Sequence, residues 1–230
     1  MVYVVGDTHG ELEIYKINNR NFPEQKKMTK KDYLIVLGDF GLVWNKSKSQ
    51  EKMLENLSKR NFTTLWVDGN HENFDLLKEY PVTLWNGGYV QKITDSVIHL
   101  MRGQVFTIEG KKIFVFGGAE SIDKEYRIPG VSWWPQEIPS FKEMETGYKS
   151  LEEHDNKVDY ILTHTCSKST FEYINIKEKF KDKGNDPTID YLERIKEKTE
   201  FKHWYFGHFH IDLSISEKET AVYDKIIRII

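Results

Sequence analysis

The sequence predicts an α/β protein in which strands and helices alternate early and antiparallel strands gather late. Three observations predict it. Short runs rich in Val, Ile, Leu, Tyr and Phe recur and stop abruptly at Gly, Asp or His. Helical patterns separate the early runs, and the middle of the chain strings strands together with only short turns between them.

Val2–Val5 stops at Gly6-Asp7, Tyr33–Leu37 at Gly38-Asp39, and Thr63–Val67 at Asp68-Gly69-Asn70-His71. Asp159–Thr163 stops at His164, and His203–Phe206 at Gly207-His208. These runs are too short for buried helices and rich in strand-forming residues, so they read as strands. Trp66 and Trp204 fall inside them and read as core. Ser47–Arg60 carries Met53, Leu54 and Leu57 at helical spacing. Asn73–Tyr80 reads as a short helix with a polar cap. The alternation implies βαβ units and a partly parallel sheet.

Val97–Leu100, Gln104–Ile108 and Lys112–Phe116 follow as consecutive strands. Residues 117–139 hold Trp133-Trp134, several prolines and glycines, and weak periodicity. A loop of that length is usually functional or disordered, and its aromatics favour order. Ser140–Glu153 reads as a helix, 166–187 as a polar loop with some helix, and Thr188–Lys198 as an amphipathic helix. The tail reads as more strands at Leu213–Ser216, Thr220–Tyr223 and Ile226–Ile229, ending in a candidate hairpin. No repeat, low-complexity tract or linker divides the 230 residues, so residues 1–230 read as one domain.

Composition bounds the function. Apolar residues make up 39% and charged residues 30%, which suits a globular chain and argues against disorder. No run of 18 apolar residues exists and no secretory signal fits, so the expectation is a cytoplasmic protein without a membrane partner. The lone Cys166 excludes an internal disulfide and a Cys-rich zinc site, and reads as packing. A net charge of -3 gives no general attraction to nucleic acid. The lysines at 168, 177, 179, 181 and 183 are interrupted by Glu172, Glu178 and Asp182, so a solvated face is the better reading of that strip.

Five of the eight histidines, His9, His71, His164, His208 and His210, come immediately after predicted strands, as do Asp7, Asp39 and Asn70. In open α/β sheets the carboxyl ends of strands line the ligand crevice. Core packing asks for no such collection. His99, His154 and His203 lie outside the pattern and read as structural. Carboxylate, amide oxygen and imidazole without thiolate suit manganese, iron or zinc. Seven ligands exceed what one open site uses, so two divalent ions fit better, with a bridging carboxylate holding them about 3.5–4 Å apart. Gly6, Gly10, Gly38, Gly69 and Gly207 would allow tight turns and close approach beside the ligands.

The series Gly6-Asp7-Thr8-His9-Gly10, Gly38-Asp39, Gly69-Asn70-His71-Glu72, Thr163-His164 and Gly207-His208-Phe209-His210 resembles the calcineurin-like metallophosphoesterases. The resemblance runs from residue 2 to about 212 in the family's order. It implies a four-layer αββα sandwich of two facing mixed sheets. It further implies that Asp7, His9, Asp39 and His210 bind a first metal, with Asp39 bridging. Asn70, His164 and His208 would complete the ligand set of the second metal, with manganese the first choice. By the same resemblance His71 is a general acid or phosphate-orienting residue, with Glu72 or Asp68 as candidates to orient it.

The second motif departs from the protein Ser/Thr phosphatases, since Gly38-Asp39-Phe40-Gly41-Leu42-Val43 lacks their following Asp and Arg. Lariat-debranching enzymes share the Gly-Asn-His-Glu segment but characteristically carry Cys where Asp7 stands. The implied function is hydrolysis of a phosphoester, as a phosphatase or phosphodiesterase on a small phosphorylated or nucleotide-like substrate. A nuclease acting on RNA or DNA and a non-catalytic scaffold are the alternatives. Asn70 and Arg127 are the candidate substrate-binding residues. Arg127 lies in the irregular segment near Ser121, Tyr126 and Trp133, where a guanidinium could hold phosphate while an aromatic stacks on a ring. The competing reading is a surface loop whose tryptophans seal the sheet edge.

Overall fold

A computed structural model describes residues 1–180 and 184–230. The lysines at 181 and 183, with Asp182, lie outside the described residues. Among the described residues thirteen strands form two mixed sheets. The first runs β13-β1-β2-β3-β6-β5-β4, where β1 is Val2–Val5, β2 Tyr33–Leu37, β3 Thr63–Val67, β4 Val82–Trp85, β5 Gly88–Thr94, β6 Val97–Leu100 and β13 Ile227–Arg228. The second runs β11-β12-β10-β9-β8-β7, where β7 is Gln104–Ile108, β8 Lys111–Phe116, β9 Tyr160–Thr163, β10 His203–Phe206, β11 Leu213–Ser216 and β12 Glu219–Ala221.

Alternation along each strand builds the layers, because successive side chains point to opposite faces. Val2, Val4, Ile35, Leu37, Leu65 and Val67 pack between the sheets against Phe106, Ile113, Val115 and Leu162. Tyr3, Val5, Leu34, Val36 and Trp66 face the other way, onto Phe22, Phe62 and Leu57 of α1 (Lys48–Ser58). On the second sheet, Phe114, Phe116, Ile161, Trp204 and Phe206 point outward. They meet Leu151 of α3 (Phe141–Glu152), Ile174 of α4 (Lys168–Glu178) and Leu192 of α5 (Pro187–Lys198). Three apolar seams make four layers, the αββα sandwich. Both core tryptophans are fully buried.

Local chemistry sets the helix ends. Ser47 caps α1 by accepting from Gln50 N. Asn73 accepts from Leu76 N and starts the short α2 (Phe74–Leu77). Ser140 and Glu143 form a reciprocal capping box on α3.

Three expectations need correction. The hairpin β4–β5 was not among the predicted strands, although Asn86-Gly87, both at positive φ, is the dipeptide that a tight hairpin turn favours. Much of the expected polar loop at 166–187 is α4. In the tail, β11 and β12 form the hairpin, while β13 crosses to the first sheet and pairs antiparallel with β1. Residues 117–139 are irregular as expected, with short 3-10 turns at Lys124–Tyr126 and Pro135–Glu137.

Strands β1, β2 and β3 are parallel with aligned ends, Val5 opposite Val36 and Leu37 opposite Val67. Strands β9 and β10 are parallel too, with Thr163 opposite Phe206. The five motif-bearing strand ends therefore open at one edge of the sandwich. Among the described residues no helix is long and apolar enough to cross a membrane.

Candidate metal centre

The loops leaving the five strands are bent hard and laced together. His9, Asp39, His208 and His210 all have positive φ, between 39° and 70°. That region costs a non-glycine residue about 1–3 kcal/mol and persists only where surroundings enforce it. The enforcement is visible: Thr8 N and His9 N both donate to the Asp39 carbonyl, and Gly10 N to the Phe40 carbonyl. Two glycines are dictated by close approach. A Cβ on Gly69 would stand 2.0 Å from Asp39 Oδ1, and one on Gly207 would stand 2.4 Å from Asp7 Oδ1.

Asp7 is fully buried, its Oδ1 accepting from His208 N at 3.0 Å. Its Oδ2 has no hydrogen-bond donor of sound geometry, although His210 Nε2 stands 3.0 Å away. Asp39 faces two ways. Its Oδ2 lies 3.3 Å from His9 Nε2, while Oδ1 lies 3.5 Å from His164 Nε2 and accepts from His71 N at 2.8 Å. The His164 ring is 4.9 Å from that of His208, and the His9 ring 5.0 Å from that of His210. Asn70 Oδ1 is 2.9 Å from His164 Nε2. The structure thus brings together all seven predicted ligands. Two groups, Asp7-His9-His210 and Asp7-Asp39-His164, have donor atoms close enough to share an ion.

The donor set fits a cation. Leu37 O only accepts, so His164 Nδ1, 2.8 Å away, must donate to it. In a neutral imidazole Nε2 is then a lone pair, aimed at Asn70 Oδ1 and Asp39 Oδ1. Acceptors facing acceptors in a buried site need a positive charge between them. Without an ion, a proton takes part of that role. Burial opposes a charge on His9, yet hydrogen bonds to Asp39 and Glu13 and the field of Asp7 raise its pKa to about 9. Asp39 is pushed the other way: despite burial, His164, His9 and His71 hold its carboxyl well below the usual range. Burial and the neighbouring His164 lower His208 to about 3, leaving a neutral imidazole suited to ligation.

Three residues that the sequence reading missed surround the first group. Glu13 Oε2 meets His9 Nδ1 at 2.7 Å, and its other oxygen accepts from the Tyr223 hydroxyl. The Tyr223 ring stacks on His210 at 4.6 Å. The buried Lys16 lies over the Tyr223 ring and donates to the Asp7 carbonyl at 2.9 Å. Such partners fix tautomer and ring orientation in metal sites. The spacing of four between His9 and Glu13 was a signal, because one tight turn brings the pair together.

His71 lies beside the cluster, its ring 5.9 Å from that of His9. Arg127 Nη2 approaches His71 Nε2 at 3.4 Å, and Asp123 grips the guanidinium at Nε and Nη2, 2.6 and 2.8 Å away. Burial lowers the His71 pKa and Arg127 adds to the effect, with Asp39 partly opposing. Neither expected orienting carboxylate reaches the ring. Glu72 Oε1 accepts from Phe40 N at 2.8 Å, tying the β2 and β3 loops together. Asp68 is engaged by His99 at 3.1 Å and by Arg102 Nε at 2.6 Å.

His99 bridges Asp68 and Gln91, His154 bonds the Ser150 carbonyl, and His203 bonds Thr220, all structural as expected. Cys166 is buried. Lys168 pairs with Asp190, which suits a solvated face for the described part of the lysine strip. Of the two tryptophans, Trp134 is buried against Trp44 and donates to Asp75. Tyr126 beside Arg127 is 89% exposed.

Fold and site define a class, the metal-dependent phosphoester hydrolases. Residues 1–212 match the family of calcineurin-like phosphoesterases, and the chain belongs to that family. Among curated proteins it is similar to lariat debranching enzyme A of Xenopus laevis, 24% identical over an alignment of 246 positions that covers 91% of this chain. The chain spans 42% of that relative's length.

Proposed function

We propose that the chain hydrolyses a small phosphorylated or nucleotide-like ester at a centre of two divalent ions. Asp7, His9, Asp39 and His210 hold the first ion in this reading, and Asn70, His164 and His208 complete the ligands of the second, with Asp39 shared. The observation that carries it is the convergence of carboxylate, amide and imidazole groups from five strand ends, with Asp7, Asp39, Asn70 and His164 buried. Among the described residues no lysine or arginine is paired with the Asp7 or Asp39 carboxylate. The absence of thiolate from the set favours manganese, with iron or zinc as alternatives.

Divalent ions in such a site act as Lewis acids on phosphoryl oxygens and make water nucleophilic near neutral pH. The protein supplies the rest. Asp39, kept ionised, presents one oxygen to each half of the centre. Arg127 binds a phosphoryl oxygen, pre-aimed by the two-point grip of Asp123. His71 orients the phosphoryl group and passes a proton to the leaving oxygen. Burial and the Arg127 charge lower the His71 pKa, and a bound anion that offsets Arg127 raises it again, so that the imidazole takes up from solvent the proton it passes on. Asn70 contributes its carbonyl oxygen to both the second ion and the substrate pocket. The exposed Tyr126 offers a face on which a base or aromatic leaving group stacks.

A second reading, hydrolysis of RNA or DNA, is favoured by one observation, the similarity to a lariat debranching enzyme. Asp7 was the residue that weighed against that likeness, and 24% identity over less than half of the relative leaves its substrate with the relative. The test strips the protein with chelator, restores Mn²⁺, and compares initial rates on p-nitrophenyl phosphate and its bis-ester. Metal-dependent turnover of either supports the proposal. Preference for the bis-ester directs the next assays to cyclic nucleotides and oligonucleotides. Silence on both with two ions bound leaves a narrow-specificity enzyme or a scaffold and weakens the catalytic reading.

A further inference from the structure

The irregular segment touches the centre at two consecutive residues, Asn70 and His71. Arg127, at its middle, reaches His71. Its two ends meet each other at a neck, and the neck reaches Asn70. Glu137 is fully buried, its Oε1 accepting from Ser121 N at 2.8 Å and its Oε2 from the Ser121 hydroxyl at 2.6 Å. Ser121 Oγ in turn lies 3.1 Å from Asn70 Nδ2, and Asn70 Oδ1 points at His164 Nε2.

Donor and acceptor chemistry gives this chain of bonds a direction. Burial raises the Glu137 pKa and the two bonds from Ser121 oppose that; in the ionised form the carboxylate only accepts, so the Ser121 hydroxyl spends its single proton on Glu137. The oxygen that remains towards Asn70 is then an acceptor. It takes the amide NH₂ and excludes the amide oxygen. An asparagine amide is nearly symmetric in shape, and only its partners decide which end faces where. With NH₂ committed to Ser121, Oδ1 must face the centre.

We infer that Glu137 and Ser121 are positioning residues that hold Asn70 with its carbonyl oxygen, the only end able to bind a cation, towards the second ion. This rests on the two-ion reading above and deepens it: the neck of residues 121–137 sets metal affinity at one position, independently of what the exposed middle does to substrate. In metal sites, partners one bond behind the ligand are typically worth 10–100-fold in affinity.

The decisive variant is Glu137→Gln. Its amide oxygen still accepts from Ser121 N, but its NH₂ now donates to Ser121 Oγ. The hydroxyl proton is freed to turn towards Asn70, which inverts the relay at almost constant shape. Ser121→Ala removes the relay, and Ser121→Thr keeps it. Calorimetric titration of the metal-free protein with Mn²⁺ reads each binding step. Glu137→Gln and Ser121→Ala weaken one step 10–100-fold and leave the other within twofold, and Ser121→Thr behaves as wild type. In an Asn70→Ala background Glu137→Gln adds nothing further, as a shared pathway requires. In metal-free protein labelled with ¹⁵N, the Asn70 side-chain amide resonances move in Glu137→Gln.

Unchanged affinities in Glu137→Gln and Ser121→Ala, with a still Asn70 amide signal, overturn the assignment. So does an equal loss at both steps, which marks general damage to the fold. A wild-type protein that binds fewer than two ions overturns the two-ion reading and the assignment with it. Two ions in wild type with unaffected variants overturn the assignment alone.

Discussion

Replacing Gly207 by alanine tests whether the centre is as tightly packed as the strand ends imply. The new Cβ would lie 2.4 Å from Asp7 Oδ1 and 2.6 Å from the Leu37 carbonyl oxygen, where ordinary contact begins at 3.4 Å. Relief therefore needs about 1 Å of movement by a buried carboxylate or by a β-strand carbonyl. Both neighbours are committed: Asp7 Oδ1 accepts from His208 N, and Leu37 O accepts from His164 Nδ1. One methyl thus disturbs Asp7, His208 and His164 together. Overpacking of this kind costs about 1–3 kcal/mol, and each kcal/mol lowers Tm by about 2–4 °C in a chain of this size. Displacement of a reacting group by about 1 Å costs on the order of 100-fold in rate. The assay is Mn²⁺ per chain by elemental analysis, with initial rates on the bis-ester. Gly110→Ala is the control for backbone strain without crowding, because Gly110, unlike Gly207, is at positive φ and its Cβ meets nothing within 4 Å. The control should lose stability and keep activity per folded molecule. Full metal content and full rate in Gly207→Ala would refute the packing argument, as would equal loss in both variants.

Other outcomes follow from the same geometry. Asp39→Ala should abolish turnover and lower metal content at both positions, and unchanged phosphate release sinks the bridging role. Arg127→Ala should raise KM with little effect on bound metal, since Arg127 meets His71 and no predicted ligand; a loss of metal would show instead that it supports the centre. Because the metal-free His9 pKa is raised to about 9, an ion must displace a proton. Mn²⁺ affinity should therefore climb with pH up to about 9, with proton release measurable by titration in buffers of different ionisation heat. The same shift stabilises the metal-free protein fully below the unfolded value of about 6.5, and that contribution fades as pH rises through 9. Arg102→Ala should cost about 3–5 kcal/mol in chemical denaturation, because it leaves the buried Asp68 carboxylate with His99 alone.

The ligand set and the layer pattern were legible in the sequence because both are written locally. Val2, Val4 and Tyr3, Val5 sort onto opposite faces through strand geometry alone, and each predicted ligand follows a strand whose end faces the crevice. Capping at Ser47, Asn73 and Ser140 is equally local, and the Asn86-Gly87 turn was legible in principle. What only the tertiary structure decided are partnerships between residues far apart in sequence. Glu13 with Tyr223, Asp68 with Arg102, and Ser121 with Asn70 are joined by hydrogen bonds across loops from different elements. A buried acceptor takes whichever donor the packed fold delivers, and sequence spacing does not specify that delivery. Asp68 and Glu72 were therefore reasonable candidates to orient His71 by proximity along the chain, and the fold spends them elsewhere. The sequence determined which atoms could bind a cation; the packing of two sheets determined that they meet, and which residues behind them hold them there.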